Sequence, residues 1–350
     1  MRKLASIQKI SKLESIPDAD RIEVATILGW KVVVLRGNFE VGSKCAFFEI
    51  DSLLPLEEAF EFLAKNGTKK MTIKGKEYEG YRLKTIRLKK QMSQGLALPL
   101  EKLNIPKDKF RVGDDITKRL GVVKYEAPIP ASLGGKIKGY RPSFVPKTDE
   151  DRLQIVPNVL RRHKKKAFYV TEKLDGTSTS IYYNNKLSED NQFGVCSRNL
   201  NLIEDEKNSF WKVTRELKIE ETLKELDANL VLQGELMGEG VQGNTLGQKG
   251  RKIYFYNVYD IDKGEYVDYK EFAYIISRLE LEHVPIIDEN FKLKDSVEKM
   301  VKYATRKSEI NELGWAEGVV VRPLKEATDK ELERLSFKVI NPEYLLKHER

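Results

Sequence analysis

The segment TEKLDGT, residues Thr171–Thr177, holds a lysine followed two and three positions later by an aspartate and a glycine. The residues before the lysine, Ala167–Glu172, predict a strand, and Asp175-Gly176 is a typical turn pair. Lys173 is therefore expected where a strand enters a turn, and its amine could attack an electrophile there if its pKa were lowered. By itself this short pattern is better explained by a lysine that simply precedes a β-turn.

Five further segments in the second half of the chain combine a predicted strand or turn with one polar group. Each also has an ordinary interpretation, as a solvated turn arginine, a capping glutamate, a core aromatic strand or an edge lysine. In chain order they are Ser197-Arg198-Asn199, Leu230–Gly238 with Glu235, Ile253–Asp260, Ala316–Arg322 with Glu317, and Leu335–Ile340 with Lys338.

The order and spacing of these segments resemble the covalent nucleotidyltransferase superfamily, which comprises DNA ligases, RNA ligases and mRNA capping enzymes. The chain resembles most an ATP-dependent RNA ligase of the branch with an N-terminal OB domain. The resemblance covers about residues 140 to 347 and includes Pro142–Gln154, which looks like the segment that precedes the lysine in RNA ligases. It implies an α+β fold class, with a nucleotidyltransferase (ATP-grasp-like ligase adenylation) domain built on antiparallel sheets.

The resemblance also implies the chemistry of the site. Lys173 would be the nucleophile that attacks the α-phosphorus of ATP and becomes lysyl-AMP. Lys338 would lower the pKa of Lys173 and contact the α-phosphate. Glu317, together with Asp175, would bind Mg²⁺ or Mn²⁺, because hard cations prefer carboxylate oxygens.

The nucleotide-binding residues follow from the same resemblance. Glu235 and Arg198 would hold the ribose hydroxyls, and Tyr259 would stack on adenine. Phe255, expected on the same strand face as Tyr259, is the reserve candidate for stacking. Glu172 could accept a hydrogen bond from the adenine amino group, which would favour ATP over GTP. The remaining candidates are Asp175 and Gly176 of the nucleotide-binding motif, and Lys147 and Arg152 as contacts for pyrophosphate or the substrate end.

The last motif departs from many relatives, which carry a second lysine two positions after the first. Here Ile340 occupies that position, and the next lysine is Lys347. Either the second lysine is dispensable in this branch or another cation replaces it.

The first hundred residues read as short strands separated by turns, with one helical patch near Leu56–Asn66. Four or five strands at this spacing predict a small all-β barrel of the OB-fold type, with an SH3-like barrel or a sandwich as the alternative. The expected strands are Arg21–Leu28, Trp30–Leu35, Lys44–Ile50, Tyr81–Leu88 and Gly95–Leu100. The predicted organisation is an OB domain over residues 1–125, a Gly/Pro-rich linker over 126–140 and the nucleotidyltransferase domain over 141–350.

Only twelve residues follow Lys338, so the OB domain that DNA ligases and capping enzymes usually carry there is not expected. This arrangement resembles the RNA-ligase branch, whose members seal 3′-OH and 5′-phosphate ends, typically at nicks. Two basic runs, Gly80–Lys90 and Arg161–Lys166, could contact the nucleic acid or could be solvated faces.

Composition limits the alternatives. The chain has 350 residues, which predicts two domains, and 62 Lys and Arg against 54 Asp and Glu give a net charge of +8, which suits a polyanionic partner. No apolar stretch is long enough to span a membrane, no secretory signal is expected, and the two cysteines and three histidines are scattered. We therefore expect a soluble, intracellular protein, without a disulfide framework or a His/Cys metal cage, that acts as a monomer.

The sequence thus predicts a three-step ligase that uses ATP and Mg²⁺ or Mn²⁺ on RNA ends, with a nicked duplex carrying RNA on the 3′-OH side as the expected partner. Three alternatives stay open: a DNA ligase, a capping guanylyltransferase that uses GTP, and a nucleic-acid-binding protein that has lost the lysine chemistry.

Overall fold

The computed structural model describes residues 3–73, 76–126 and 135–348. The chain divides into two compact units. The barrel unit comprises Met1–Pro128, Gln154–Pro157 and Leu345–Arg350, and the second unit comprises Ile129–Leu153 and Asn158–Tyr344.

The barrel unit is built from antiparallel strands in three small sheets. The first sheet has five strands in the order β10-β4-β1-β2-β3. These are β1 Ala5–Ser15, β2 Ile22–Ile27, β3 Trp30–Leu35, β4 Lys44–Phe48 and β10 Leu96–Leu98. The second sheet, in the order β11-β5-β7-β6, consists of β5 Ser52–Pro55, β6 Lys69–Ile73, β7 Lys76–Arg82 and β11 Val123–Lys124. A hairpin of β8 Thr85–Leu88 and β9 Gln91–Gln94 forms the third, and 3₁₀ helices span Glu58–Asn66 and Leu100–Leu103.

Two of the strand predictions for this unit need correction. The longest strand, Ala5–Ser15, was not predicted, because its apolar/polar alternation breaks at Gln8-Lys9 and its pairing with β2 shifts register between Ile10 and Lys12. The predicted strand Tyr81–Leu88 is two strands. Leu83 exchanges backbone hydrogen bonds with Asp51 and Ser52, after which the chain leaves the second sheet and starts the hairpin.

The second unit contains two larger sheets. The seven-stranded sheet has the order β12-β17-β16-β15-β18-β19-β20 and is antiparallel throughout. Its strands are β12 Ile137–Tyr140, β15 Thr177–Tyr183, β16 Phe193–Ser197, β17 Leu200–Leu202, β18 Leu230–Gly238, β19 Arg251–Asp260 and β20 Glu265–Tyr266. The five-stranded sheet has the order β13-β25-β22-β14-β21, with only β13 and β25 parallel. Its strands are β13 Asp151–Arg152, β14 Phe168–Lys173, β21 Ile286–Phe291, β22 Gly318–Pro323 and β25 Phe337–Ile340.

Three of the helices pack against one face of the seven-stranded sheet, where they bury an apolar cluster with the strands. The helices are α1 Val159–Arg162, α2 Ser209–Glu216, α3 Ile219–Glu225, α4 Tyr269–Arg278, α5 Val297–Ala304 and α6 Pro342–His348, and α2, α3 and α4 supply this cluster. The segment Lys207–Leu226 forms two helices and not one continuous helix, because Lys218 lies between them in the left-handed conformation with φ 51°. Two short strands, β23 Thr328–Asp329 and β24 Glu333–Arg334, and a 3₁₀ turn, Glu189–Asn191, complete the unit.

The predicted linker falls in part on residues 127–134, which lie outside the described residues. Its last residues form β12, which pairs with β17 and therefore belongs to the seven-stranded sheet. The predicted boundaries 1–125 and 141–350 stay predictions. No helix of the described residues is long and apolar enough to cross a membrane.

Candidate functional site

The register of the five-stranded sheet brings the central lysine beside a glutamate 144 positions away. Lys173 ends β14 and lies opposite Gly318 of β22. Glu317, the residue before that glycine, accepts a hydrogen bond from Lys173 Nζ at 2.6 Å on its Oε2 atom. A Cβ at position 318 would lie 2.2 Å from the carbonyl oxygen of Val339, so only glycine fits where the strand starts.

Glu235 reaches the same place from the seven-stranded sheet. The turn Leu174–Gly176 connects β14 of one sheet to β15 of the other, and β18, which carries Glu235, pairs with β15. The backbone N–H of Gly176 donates to Glu235 Oε1 at 3.1 Å. A Cβ on Gly176 would lie 2.4 Å from the carbonyl oxygen of Leu236, so glycine lets the turn approach the strand.

Asp175 is held by a residue that the sequence did not single out. The hydroxyl of Tyr344, in α6, donates a hydrogen bond to Asp175 Oδ2. The Tyr344 hydroxyl also lies 3.1 Å from Thr245 Oγ1, and its side chain is buried. No pattern in the sequence marks Tyr344, because its partner lies 169 positions away and only the tertiary structure joins them.

Lys338 lies on the other side of β22 from Lys173. It pairs with Val320 of β22, and on its other side with Arg152 of the parallel strand β13. The backbone N–H of Leu153 donates to the carbonyl oxygen of Lys338 at 2.9 Å, which extends this pairing. Arg152, predicted to contact pyrophosphate or the substrate end, is thus the immediate neighbour of Lys338.

The two lysines have opposite pKa shifts. Burial by itself lowers the pKa of Lys173, but the charges of three surrounding carboxylates outweigh burial and hold the pKa above its ordinary value. The carboxylates are those of Glu317, Glu235 and Asp175. The pKa of Lys338 is lowered to about 8 by burial and by the charges of Lys173 and Arg152. The expected depression is therefore found at Lys338 and not at Lys173, because the carboxylates surround Lys173.

The carboxylates also shift one another's pKa values. Burial raises the pKa of Glu235 to about 8, and the charges of Glu317 and Asp175 add to this against the opposing charge of Lys173. Burial and the charge of Glu317 also raise the pKa of Asp175, against the hydrogen bond from Tyr344. The site thus concentrates negative charge that a further cation would stabilise.

This donor chemistry fits a hydrated divalent ion. Among the described residues, no three His, Cys, Asp or Glu side chains are grouped so that they alone could hold a metal. Glu317 and Asp175 nevertheless interact strongly enough to shift the pKa of Asp175. Mg²⁺ and similar ions commonly keep several waters and use only one or two carboxylates together with substrate phosphates.

Glu172 is buried, and hydrogen bonds occupy both of its carboxylate oxygens. Ser308 Oγ donates to Oε1 at 2.5 Å and the backbone N–H of Glu309 donates to Oε2 at 2.8 Å. Burial raises the pKa of Glu172, and these two hydrogen bonds oppose that effect. Glu172 therefore fixes the backbone at residues 308–309 beside the strand that carries Lys173.

Arg198 follows β16 and Tyr259 lies in β19, on opposite sides of the central strands β15 and β18 of the seven-stranded sheet. Arg198 is exposed and donates to both carboxylate oxygens of Asp149, at 2.7 and 2.8 Å. The Tyr259 ring is partly buried and meets the Tyr266 ring edge-on, with 5.1 Å between centroids. These contacts place neither side chain in direct contact with Lys173.

The expectation that Phe255 shares a strand face with Tyr259 is wrong. The pairing of β18 with β19 shifts between Gln233 and Gly234, so that a bulge in β19 at Tyr256 reverses the alternation. Phe255 consequently points into the cluster beneath the helices and is fully buried, whereas Tyr259 packs with Tyr182 on the opposite face.

A buried charge network, not anticipated from the sequence, lies beside the site. Arg322, in β22, donates to Glu150 Oε1 at 2.9 Å and to Thr171 Oγ1 at 3.3 Å, and its side chain is 2% exposed. Burial by itself raises the pKa of Glu150, but the nearby cations, Arg322 first and Lys338 second, lower it overall. An arginine inside the apolar run of β22 is the sequence signal that could have indicated a buried partner.

Lys147, by contrast, is exposed.

The basic run Arg161–Lys166 divides into two parts. Arg162 Nε and His163 Nε2 both lie within hydrogen-bond distance of the buried Asp329 Oδ2, at 2.9 and 2.8 Å. Arg161 and the three lysines Lys164–Lys166 are exposed. Part of this run is therefore a structural ion pair, and only the remainder is available to a ligand.

The comparisons with known proteins agree with this geometry. A family model described as RNA ligase matches residues 166–340, and one described as an OB-fold domain matches residues 4–100. The chain belongs to the RNA ligase family. The matches confirm the predicted family, the enzyme class of RNA ligase, and the α+β fold preceded by an OB-fold barrel, so the SH3-like alternative is excluded.

Solved structures of an RNA ligase from Naegleria gruberi are similar to this RNA ligase along its whole length. A variant bound to AMP and Mn is 36% identical, with a TM-score of 0.88 and 99% of each chain covered. The complex with PPi is 36% identical, with a TM-score of 0.88, and covers 100% of this chain and 99% of the other. A variant bound to ATP and Mn is 35% identical, with a TM-score of 0.88 and 99% of each chain covered. No curated protein sequence matches significantly.

Proposed function

We propose that this RNA ligase uses ATP to seal a 3′-OH end to a 5′-phosphate end, at nicks in RNA-containing duplexes, through a lysyl-AMP intermediate. The observation that carries the proposal is the position of Lys173, at a strand end among three carboxylates. The similar Naegleria gruberi enzyme binds ATP, AMP, PPi and Mn, which supports ATP with Mg²⁺ or Mn²⁺ as cofactors.

In the first step, Lys173 Nζ forms a bond to the α-phosphorus of ATP while the bond from that phosphorus to the bridging oxygen breaks and pyrophosphate leaves. The amine must lose a proton before it attacks, and the carboxylate of Glu317 lies at 2.6 Å to accept it. Lys338 would contact the α-phosphate and stabilise the charge that develops during transfer. Its pKa of about 8 leaves it largely protonated at neutral pH.

A divalent ion bound by Glu317 and Asp175 would supply positive charge beside the α-phosphate. Tyr344 holds the carboxylate of Asp175 in a fixed orientation. The positive charge of the ion would offset part of the negative charge that raises the pKa of Lys173.

The nucleotide would be recognised by residues around this centre. We assign Glu235 and Arg198 to the ribose hydroxyls and Tyr259 to the adenine ring. Glu172, whose two oxygens each already accept one hydrogen bond, would accept a second one on one oxygen from the adenine amino group. Arg198 would give up its exposed pair with Asp149, at small cost. Gly176 keeps the turn close to Glu235, while Arg152 and Lys147 are assigned to pyrophosphate or the substrate end.

In the second step, an oxygen of the 5′-phosphate bonds to the phosphorus of AMP while the bond from that phosphorus to Lys173 Nζ breaks, which leaves an AMP-capped 5′ end and a free lysine. In the third, the 3′-hydroxyl displaces AMP and forms the phosphodiester. These steps are nucleotidyl transfers in which positioning and charge stabilisation dominate. The proposed partner is a nicked duplex with RNA on the 3′-OH side, and the proposed active species is a monomer.

Sealing of defined nicks tests the substrate. Four duplexes carry RNA or DNA on either side of the nick and are incubated with ATP and Mg²⁺ or Mn²⁺. We expect sealing only where the 3′-OH strand is RNA. Equal sealing of all-DNA nicks would favour a DNA ligase, and a protein–nucleotide adduct formed only from GTP would favour a capping enzyme.

A further inference from the structure

The β8–β9 hairpin of the barrel unit has a buried root and an exposed tip. At the root, Thr85 pairs with Gln94, both side chains are buried, and Ser93 Oγ accepts a hydrogen bond from the backbone N–H of Val33 at 2.9 Å. The five residues Ile86 to Lys90 are all exposed. The root is thus fixed to the barrel while the tip is presented to solvent.

The turn at the tip has an unfavourable composition. Lys89 and Lys90 form the two-residue loop between the paired residues Leu88 and Gln91, and their φ angles are 47° and 66°. Two-residue hairpin loops with both φ angles positive strongly prefer Asn-Gly, since side chains other than glycine and asparagine are strained there. Strained residues that persist in a structure often have a functional role.

The side chains of the tip combine aliphatic and cationic groups. Ile86 and Leu88 lie on one face of β8 and are 47% and 39% exposed. Neither Lys89 nor Lys90 takes part in any ion pair found among the described residues. The tip thus places two exposed aliphatic side chains beside two exposed lysines, a combination that suits a ligand with both apolar and anionic surfaces.

Another cation of the same basic run is already used within the barrel. Arg82 lies 3.4 Å from Asp51 Oδ1 and stacks over the Tyr125 ring at 4.4 Å. Within the basic run Gly80–Lys90, the exposed cations are therefore those of the hairpin tip.

We propose that the hairpin tip binds the sugar–phosphate backbone of the duplex that this enzyme seals. This inference rests on the proposed function. Lys89 and Lys90 contact phosphates, while Ile86 and Leu88 pack against sugars in the wide, shallow minor groove that A-form duplexes expose. Charge complementarity selects this occupant, because the chain carries a net charge of +8 and its proposed substrate is a polyanion.

The test measures binding of a fluorescent nicked duplex that lacks the 5′-phosphate, so that no sealing occurs. In the double variant Lys89→Asn with Lys90→Gly, we expect the Kd to rise about tenfold and the salt dependence of log K to become shallower by about two. The same variant should unfold at a temperature higher by roughly 2–5 °C, because Asn-Gly relieves the strain of the turn.

Three further variants complete the test: two are controls, and the third removes the aliphatic side chains of the tip. Lys89→Arg with Lys90→Arg keeps the charge and should keep the affinity. Lys65→Asn with Lys109→Asn removes two exposed lysines elsewhere on the barrel unit and should leave the Kd within about twofold, since such charges add only a long-range contribution. Ile86→Ser with Leu88→Ser should weaken binding several-fold without changing the salt slope, because it removes no charge.

Two results would overturn the inference: an unchanged Kd in the Asn-Gly variant, or an equal loss of affinity in the Lys65 and Lys109 control. Adduct formation between the parent protein and ATP reports the proposed function separately, because it needs no RNA. If the parent forms the adduct and the hairpin variants still bind the duplex normally, the inference about the hairpin is wrong but the proposed function stands. A parent that forms no adduct contradicts the proposed function.

Discussion

Charged side chains are used differently in the two units of this RNA ligase. In the second unit, Lys173 and Lys338 are enclosed by other charges, and their pKa values shift in opposite directions. At the hairpin tip of the barrel unit, Lys89 and Lys90 are exposed and make no ion pair with the described residues. The pKa of a buried lysine is thus set by the charges around it, whereas an exposed lysine acts mainly through its own charge.

The largest effect is expected at Lys173. Lys173→Arg keeps the positive charge among the carboxylates but removes the nucleophilic amine, so transfer of AMP to the protein should fall by more than about a thousandfold. Intact mass after incubation with ATP and Mg²⁺ measures the adduct. Lys186→Arg, an exposed lysine paired with Asp262, is the control and should form the adduct normally. An adduct of parental yield on the Lys173 variant would show that another residue is the nucleophile.

Asp329, a buried charge outside the site, allows the cost of losing a buried ion pair to be compared with that of a more exposed one. The Asp329 side chain is 2% exposed and is bound by Arg162 and His163, so Asp329→Asn should lower the free energy of unfolding by about 3–5 kcal/mol. Glu331→Gln removes the more exposed partner of Arg162 and should cost no more than about 1 kcal/mol. Urea unfolding monitored by tryptophan fluorescence compares them, and equal costs would contradict the role assigned to burial.

The pH dependence of Asp329 follows from the same contacts. Burial by itself raises its pKa, but the hydrogen bonds from Arg162 and His163 outweigh burial and lower the pKa below its ordinary value of 3.8. The stabilisation is therefore complete above the pKa of the unfolded chain and is lost as the pH falls below about 4. The stability difference between the parent and Asp329→Asn should shrink in that range.

Lys338 should show a trade-off between stability and activity. Its folded pKa of about 8, against 10.5 when exposed, corresponds to about 3 kcal/mol of unfavourable free energy at pH 7. Lys338→Met should therefore raise the stability of its unit at pH 7 while slowing AMP transfer about a hundredfold. A buried lysine with a lowered pKa destabilises the folded state as long as it stays protonated. The free energy of unfolding of the parent should therefore rise relative to that of the variant between pH 8 and 10.5. A variant less stable than the parent at pH 7 would contradict this account.

The smallest effect is expected for an exposed pair in the barrel. Hydrogen bonds from Lys12 and Lys31 lower the pKa of Glu14 to about 2, but its side chain is 37% exposed. Because solvent screens such pairs, Glu14→Gln should cost less than about 1 kcal/mol near neutral pH, and this cost should disappear as the pH falls from about 4.5 to 2. Urea unfolding at pH 7 and pH 3 measures it, and a cost like that of Asp329→Asn would refute the distinction between the units.

The motifs around Lys173 could be found from the sequence because each lies on one short strand or turn. Glycines 176 and 318, which allow close approaches, were visible for the same reason. Tyr344, Ser308 and Arg322 were not identified, because their roles come from partners more than 130 positions away. Phe255 was placed on the wrong face because a bulge is set by the pairing of two strands and not by the residues of one.

The sequence by itself determined the family, the barrel followed by an α+β unit, and the order of the polar segments that meet at the site. The family followed from the resemblance of the ordered motifs to those of RNA ligases. Local alternation and turn residues predicted the strands and turns, since these depend on neighbours in the chain. Only the tertiary structure decided which lysine has the lowered pKa and which cations stay exposed. A pKa depends on burial and on every charge within a few ångströms, and the pairing of distant strands sets both.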